Sequence, residues 1–259
     1  MDYFKIKNSF NKSALYYDKW ANVQKKCAEI IIDKLEKFNL KKVNNILELG
    51  CGTGNLTKLI DEKIQYKNFI SIDCALNMLK IASDKVKRKN IYFINANIHE
   101  LSKWMRKKTY FDIIISNASF QWIKDHDKLA ISLKNILKEN GKVIFTYFPP
   151  DTYKELKLAL NFAFNQKIKL ASDEFASLEV IKNVWRRYYS SINVEKFKFD
   201  FTYSSIIDLL KVLKKTGVNV SYNPSLIFTR KKIKDIEDFF IKNYGKIIIK
   251  YKVYLFTIL

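Results

Sequence analysis

The segment Glu48-Leu49-Gly50-Cys51-Gly52-Thr53-Gly54 sets a carboxylate ahead of three glycines at alternate positions, and these are three of only six glycines in 259 residues. Glycine has no Cβ, so it takes positive φ readily and lets a small molecule lie against bare backbone. The apolar run Asn45-Ile46-Leu47 before it and the amphipathic stretch Leu56 to Ile60 after it read as strand, turn and helix, and a helix start is itself a binding site for ligands. A second carboxylate, Asp73, closes the apolar run Phe69-Ile70-Ser71-Ile72, nineteen residues beyond Gly54. That is close to the roughly 20-residue offset at which wound α/β folds place a ribose-binding acid. Two further polar residues, Asn97 and Asn117, end the apolar runs that begin at Ile91 and Phe111. The chemistry this suggests is capture of a nucleoside-like ligand along one rim of a sheet. The alternative is a tight turn with no ligand.

The glycine spacing separates ligand classes. Dinucleotide folds use Gly-x-Gly-x-x-Gly, whereas Asn55 stands here where the third glycine would be. The acidic-x-Gly-x-Gly-x-Gly pattern resembles motif I of the class I S-adenosylmethionine-dependent methyltransferases. In such enzymes an Asp commonly occupies the place of Asn97 and accepts from the adenine amino group; Asn keeps an acceptor oxygen without the charge.

The elements that must position these residues alternate along the chain. Ala75 to Val86 is helical in period, Ile91 to Ile98 is a third strand, and Phe111 to Asn117 a fourth. A helix over Lys124 to Leu137, stopped by Asn140-Gly141, leads to a fifth strand, Lys142 to Tyr147, which Pro149-Pro150 breaks. This rhythm predicts a mostly parallel sheet with right-handed crossovers, whose ligands bind beyond the carboxyl ends of its strands. Before it, residues 4–38 hold two amphipathic helices. After it, Asp151 caps a helix to about Lys167 and Ser172-Asp173 another to about Arg187. Next come a strand from Asn193 to Phe201, a helix from Ser204 to Lys215 closed by Gly217, a helix from Thr229 to Lys242, and a last strand from Lys246 to Phe256. The expected architecture is one α/β domain: a helical cap over 1–40, a ligand-binding core over 41–150, a lid insertion over 151–189, and a sheet completion with inserted helices over 190–259.

Composition bounds the rest. No run nears the roughly 20 apolar residues of a membrane helix, and the N-terminus lacks a secretory pattern, so a soluble, cytoplasmic protein is expected. Cys27, Cys51 and Cys74 are odd in number and have only His99 and His126 as possible metal partners, which predicts neither a disulfide framework nor a metal site. The formal charge of +21 invites a nucleic-acid reading. Yet only Arg88, Arg106, Arg186, Arg187 and Arg230 among the 47 basic residues are arginine, the residue of bidentate phosphate and base recognition, and abundant Lys, Ile and Asn fit compositional bias. No nucleic-acid partner is expected.

Three stretches carry a more specific resemblance over nearly the whole chain. Ser9-Phe10-Asn11-Lys12-Ser13-Ala14-x-x-Tyr17-Asp18-x-x-Ala21-x-x-Gln24, the turn at 48–54, and Ser116-Asn117-x-x-x-Gln121-Trp122 together resemble the malonyl-acyl-carrier-protein O-methyltransferases of biotin synthesis, the BioC family. Leu210-Lys211-x-Leu213-Lys214-x-x-Gly217, the Thr229-Arg230 helix start and the Tyr-rich final strand follow in the same order. Asn97 and a shortened segment between Gly217 and Thr229 depart from the family. The resemblance implies a Rossmann-like class I methyltransferase with a seven-stranded, mostly parallel sheet, helices on both faces and a helical lid. It also implies methyl transfer from S-adenosylmethionine to the free carboxylate of a malonyl thioester on an acyl-carrier protein, by a metal-free monomer.

Roles follow from it as expectations. Gly50 and Gly52 approach the methionine part of the donor with Glu48 behind them. Asp73 takes the ribose; Met78, Asn97 and Ile98 surround the adenine; Asn117 lies on the same rim. Tyr17, Gln121 and Trp122 close the methyl-transfer pocket, a purely packing role being the alternative for Tyr17 and Trp122. Arg186, Arg187, Lys211, Lys214, Lys215 and Arg230 offer a docking surface to an acidic carrier, solvated charge being the alternative. Two other function classes stay open: an RNA methyltransferase, although Ser116-Asn117-Ala118-Ser119 lacks a base-stacking Asn-Pro-Pro-Tyr signature, and a noncatalytic assembly factor on the same fold.

Overall fold

A computed structural model describes residues 2–104, 110–218 and 226–259. Most of the segment between Gly217 and Thr229 that departs from the family lies outside the described residues. Helices α1 (Tyr3–Trp20) and α2 (Asn22–Lys37) precede β1 (Asn45–Leu49), α3 (Asn55–Lys63), β2 (Asn68–Asp73), α4 (Leu76–Lys85) and β3 (Ile91–Asn95). A short α5 (Leu101–Trp104), β4 (Phe111–Ser116), α6 (His126–Lys134), β5 (Leu137–Tyr147), α7 (Lys154–Phe164) and α8 (Leu178–Arg186) follow. The chain ends with β6 (Ile192–Tyr203), α9 (Ile206–Lys215), α10 (Arg230–Tyr244) and β7 (Ile247–Ile258).

The strands form one sheet in the order β3-β2-β1-β4-β5-β7-β6, parallel except for β7, which runs antiparallel to both of its neighbours. From β1 the chain winds outward to β2 and β3, then returns to add β4 on the other side. The order therefore reverses between β1 and β4, and the carboxyl ends on either side diverge into a crevice. Strand alternation divides the core into layers. Ile46, Ile113, Ile115, Ile144 and Leu255 meet α2 and α3 on one face. Leu47, Leu49, Ile114, Val143, Phe145 and Phe256 meet α6 and α8 on the other.

The register of β7 shapes the rim. Strand β5 ends at Tyr147 opposite Tyr254, so Ile247 to Val253 pair with β6 alone and project past the carboxyl ends of the parallel strands. The apolar side of this overhang, Ile247, Ile249, Tyr251 and Val253, gathers α7, α9, α10 and the start of α2 into a third cluster. The overhang thus carries helices to the place where a rim-bound ligand would need a wall.

Three expected caps are corrected. Helix α6 stops at Lys134, and Asn140-Gly141 lies inside β5, in an irregular stretch where Phe111 pairs with Leu137 but Ile113 already pairs with Lys142. The extra residues bulge outward, and Lys138 reaches Asp112 at 2.6 Å. Asp151 caps nothing, because its carboxylate pairs with Lys252 on β7. Asp173 instead closes a 3-10 turn at 171–174 by accepting from the Leu170 N–H at 2.8 Å, and Ser177 caps α8.

Candidate active site

A cavity of about 430 Å³ lies over the β1–β4 crevice, within the range of small-molecule sites. Gly50 and Gly52 line it from the turn after β1, Asp73 and Cys74 from the end of β2, and Met78 from α4. Asn97, Ile98 and His99 line it after β3, and Asn117, Ala118, Ser119 and Trp122 after β4. Tyr3, Ile6, Phe10 and Tyr17 of α1 close it from above.

The turn has the backbone that its composition demands. Gly50 stands at φ +75°, and a Cβ there would come within 2.2 Å of Ser119 Oγ. Gly52 stands at φ +56° with no atom within 4 Å of the place a Cβ would take. The first glycine lets the β1 and β4 loops touch; the second leaves bare backbone facing the cavity. Asp73 ties the turn to β2: its Oδ2 accepts from the Gly52 N–H at 2.9 Å and its Oδ1 from the Ala75 N–H at 2.8 Å. Burial raises the Asp73 carboxyl, against which the backbone N–H groups of Ala75, Gly52 and Cys74 pull it down.

Glu48 does not line the cavity. It is buried behind the turn, where its Oε2 accepts from Thr57 Oγ1 at 2.5 Å and Ser71 Oγ at 3.0 Å. Burial pushes its carboxyl up to about 7, although both hydroxyls favour the charged form. Its place in the structure is to bolt β1 to α3 and β2. Asn97 lines the cavity, but its Oδ1 already accepts from the His99 N–H at 3.0 Å, so an adenine amino group would share that oxygen. Asn117 also has a structural duty: Nδ2 donates to the Gln24 carbonyl at 2.9 Å, and Oδ1 accepts from Thr146 Oγ1 at 2.8 Å. Met78 is buried, with Phe10 and Tyr17 packed against its cluster.

Tyr17 and Trp122 face both this cavity and a narrow neck of about 20 Å³ beside it; Gln121 faces the neck alone. Burial, then the nearby Asp73 and Asp18, hold the Tyr17 phenol well above its ordinary value, so it is neutral and a hydrogen-bond donor. Cys74 is likewise pushed up to about 12 by burial and Asp73, and remains a thiol. Neither is a base at neutral pH.

Residues that the sequence reading assigned no role complete the site. Asp18 accepts from Thr53 Oγ1 at 2.5 Å and Asn55 Nδ2 at 2.9 Å through one oxygen, and from Lys85 Nζ at 2.7 Å through the other. Burial pulls the Asp18 carboxyl upward, but these donors outweigh it and hold it below its ordinary value. They pin the end of α1 to the glycine turn and α4. Gln24 faces the neck, and its place in the N-terminal stretch that carries the family resemblance was the signal for it.

The basic residues expected to share one docking surface lie on opposite faces. On β7, Phe256 and Ile258 belong with Ile181, Val184 and Trp185 of α8, whereas Tyr251 and Val253, of the other parity, belong with Leu209 and Leu213 of α9. Arg186 and Arg187 end α8, where Arg187 pairs with Asp127 at 2.9 Å. Lys211, Lys214 and Lys215 lie on α9 beside α1, and Arg230 opens α10. Among the described residues no group of three or more His, Cys, Asp or Glu is placed to hold a metal ion, and no helix is long and apolar enough to cross a membrane.

The sequence model of a family described as a methyltransferase domain matches residues 20–190. A malonyl-[acyl-carrier protein] O-methyltransferase of Ilyobacter polytropus is 35% identical over 94% of this chain and 92% of its own length. The chain belongs to the malonyl-[acyl-carrier protein] O-methyltransferase family. Its fold is that of the class I S-adenosylmethionine-dependent methyltransferases. The YcgJ protein of Bacillus subtilis superposes with a TM-score of 0.63 at 14% identity, over 90% of this chain and 97% of that one. Phosphoethanolamine N-methyltransferase 2 of Haemonchus contortus, solved with S-adenosyl-L-methionine, superposes at 0.51 and 17% identity over 84% of this chain and 49% of its own. The rim suits the donor that this methyltransferase family uses: open backbone at Gly52, an acceptor at Asp73 and an apolar bed of Met78 and Ile98.

Proposed function

We propose that the protein transfers a methyl group from S-adenosylmethionine to the free carboxylate of a malonyl group carried on an acyl-carrier protein, giving the malonyl methyl ester used early in biotin synthesis. The observation that carries this reading is 35% identity, over nearly the full length of both chains, to a protein named for that substrate. The site's chemistry agrees with it. When bound, S-adenosylmethionine supplies a methyl group on a positively charged sulfonium, which an anionic oxygen can accept without a base. A malonyl carboxylate, with a reference pKa of roughly 4, is already ionised at neutral pH.

What remains for the chain is positioning and exclusion of water. Gly50, Gly52 and Asp73 hold the donor's polar parts, with Asn117 on the same rim, while Met78, Asn97 and Ile98 bound its base. Glu48 supports the turn from behind. Tyr17, Gln121 and Trp122 shape the neck in which the acceptor carboxylate is oriented. Trp122 packs edge-on against Phe10 of α1, ring centroids 5.8 Å apart, and against Phe175 at 5.2 Å. Helix α1 and the 151–189 segment thereby shield the reaction as a lid. Well-oriented reactants gain on the order of 7 to 11 kcal/mol from proximity alone, and an already ionised carboxylate needs no base to accept the methyl group. A single chain completes the site in this reading, the protein acts as a monomer, and a carrier-protein substrate puts it in the cytoplasm.

The test is labelled methyl transfer from S-adenosylmethionine to malonyl-acyl-carrier protein, malonyl coenzyme A and bulk RNA in parallel. Alkali-labile label on the malonyl thioesters is expected. Label in RNA alone, or in none of the three, would overturn the proposal.

A further inference from the structure

Three cavities stand in series. The donor cleft meets the neck at Phe10, Tyr17, Ala118 and Trp122. Gln24, Tyr153 and Thr216 are shared between the neck and a recess of about 170 Å³ on its far side. The recess runs between the α1–α2 junction, α9 and the β6–β7 overhang. Its inner end is formed by buried Tyr251 and Thr216, and exposed Asn22 and Thr202 stand at the surface. The neck therefore has the donor cleft on one side and the recess on the other.

The neck carries two unsatisfied groups. Among the described residues, Gln24 Oε1 and Gln121 Oε1 are both buried with no hydrogen-bond partner. Gln121 is fixed with its Nε2 donating to the Ala118 carbonyl at 2.7 Å, which leaves the oxygen as an acceptor. Buried acceptors without donors are costly, and each one asks what partner it is kept for. Two amide oxygens in a narrow passage suit a thin ligand bearing N–H groups. The arm that links a thioester to a carrier protein is such a ligand, a flexible chain interrupted by amides.

The surface around the recess has the matching charge. Lys19 Nζ and Lys211 Nζ lie over the Trp20 ring, 5.4 and 5.3 Å from its centroid, and Lys215 Nζ lies 3.2 Å from the centroid of Tyr16. Lys214 is exposed on the same helix. Among the described residues Asp208 is the one charged residue lining the recess, and its carboxylate accepts from Ser204 Oγ at 3.2 Å. The arginines of α8 are on the other face of the sheet, and Arg187 is engaged with Asp127.

We infer that the recess is the channel for the amide-bearing arm of the malonyl thioester, and that the acidic carrier docks over its mouth on Lys19, Lys211, Lys214 and Lys215. The inference rests on the function proposed above. Donor and acceptor then approach from opposite ends and meet in the neck, where Gln24 accepts from an amide N–H of the arm.

Val212 lines the recess and neither the cleft nor the neck, so Val212→Trp plugs the channel away from the donor. The Michaelis constant for malonyl-acyl-carrier protein and the affinity for S-adenosylhomocysteine are measured on the same protein, with Val212→Phe as a smaller plug should the Trp variant fail to fold. The inference predicts that the Michaelis constant rises at least roughly tenfold, the effect of about 1.4 kcal/mol of lost binding, while the affinity for S-adenosylhomocysteine holds. Lys211→Glu/Lys215→Glu raises it at low salt, and added salt shrinks the difference. Unaltered Michaelis constants in the plugged variants, or a rise on Arg186→Glu/Arg187→Glu but none on the lysine pair, would overturn the channel while leaving the proposed function intact. A wild-type protein inactive on every malonyl thioester would overturn both.

Discussion

Asp73 Oδ2 accepts from the Gly52 N–H at 2.9 Å, so the acid expected to hold a ribose is also the brace of the glycine turn. One carboxylate at the end of β2 fixes where the turn stands and what it offers to a ligand. A hydrogen bond to a charged group contributes roughly 1.5–3 kcal/mol. Asp73→Ala should therefore weaken S-adenosylmethionine binding by about 10- to 100-fold in calorimetry, since 1.4 kcal/mol is tenfold. Unchanged affinity would remove Asp73 from the donor site.

Gly50 and Gly52 should fail in different ways when changed to Ala. At Gly50 the new methyl meets Ser119 Oγ at 2.2 Å, so the β1 and β4 loops must separate and the melting temperature falls. At Gly52 no atom lies within 4 Å, and the fold bears only the cost of a left-handed backbone, about 1–2 kcal/mol. The Gly52 methyl projects into the cavity instead, so donor affinity is lost while most stability is kept. A Gly52→Ala protein that bound S-adenosylhomocysteine like wild type would contradict this geometry.

Two buried groups should give opposing pH dependences of stability. Glu48 is raised to about 7 from 4.5, so the folded state holds its proton more tightly and this contribution, present at low pH, is lost as pH rises through 7. His126, buried with neither ring nitrogen partnered among the described residues, is lowered by that burial to about 4 from 6.5. Its contribution is present above 6.5 and is lost as pH falls toward 4. Each is worth about 3 kcal/mol at full extent, from 1.36 kcal/mol per unit, so between pH 4.5 and 6.5 they nearly cancel. Relative to wild type, Glu48→Gln should gain stability as pH rises across that window, and His126→Phe should lose it, as read from denaturant midpoints. Parallel curves for all three proteins would refute the assignment.

The absence of a base role has a kinetic signature. Tyr17 and Cys74 are held above the neutral range and the acceptor is ionised from about pH 5 upward, so kcat should show no ascending limb between pH 7.5 and 9.5. A slope-one rise in that interval would demand a titrating base in the neck.

Much of this was legible in the sequence, and the reasons are local. The glycine turn, Asp73 and the alternation of strands with helices follow from positive-φ chemistry and from apolar runs of strand length. The cap at Thr229 follows from a side chain that bonds only within one turn, while the start read at Ser204 falls one residue later, at Ser205. What escaped depends on contacts between distant segments. Asp18 meets Thr53 and Lys85 only after α1 folds back over the rim. Asn140-Gly141 reads as a helix stop until β5 claims Leu137 for pairing with Phe111. The two basic groups look like one surface until β7 places their supporting residues on alternate faces. Glu48 stands behind the glycines as its spacing suggests, but the partners that hold it there were not legible, because only the parity of β1 sends it toward α3 and Thr57.

The most direct measurement is a crystal structure of the protein with S-adenosylhomocysteine, supported by calorimetric titration in the same buffer. The account predicts one site per chain, with the ribose hydroxyls on Asp73, the base beside Met78 and Ile98, and the sulfur turned toward Tyr17 and Trp122. No binding, or a ligand seated away from the β1–β4 crevice, would contradict it.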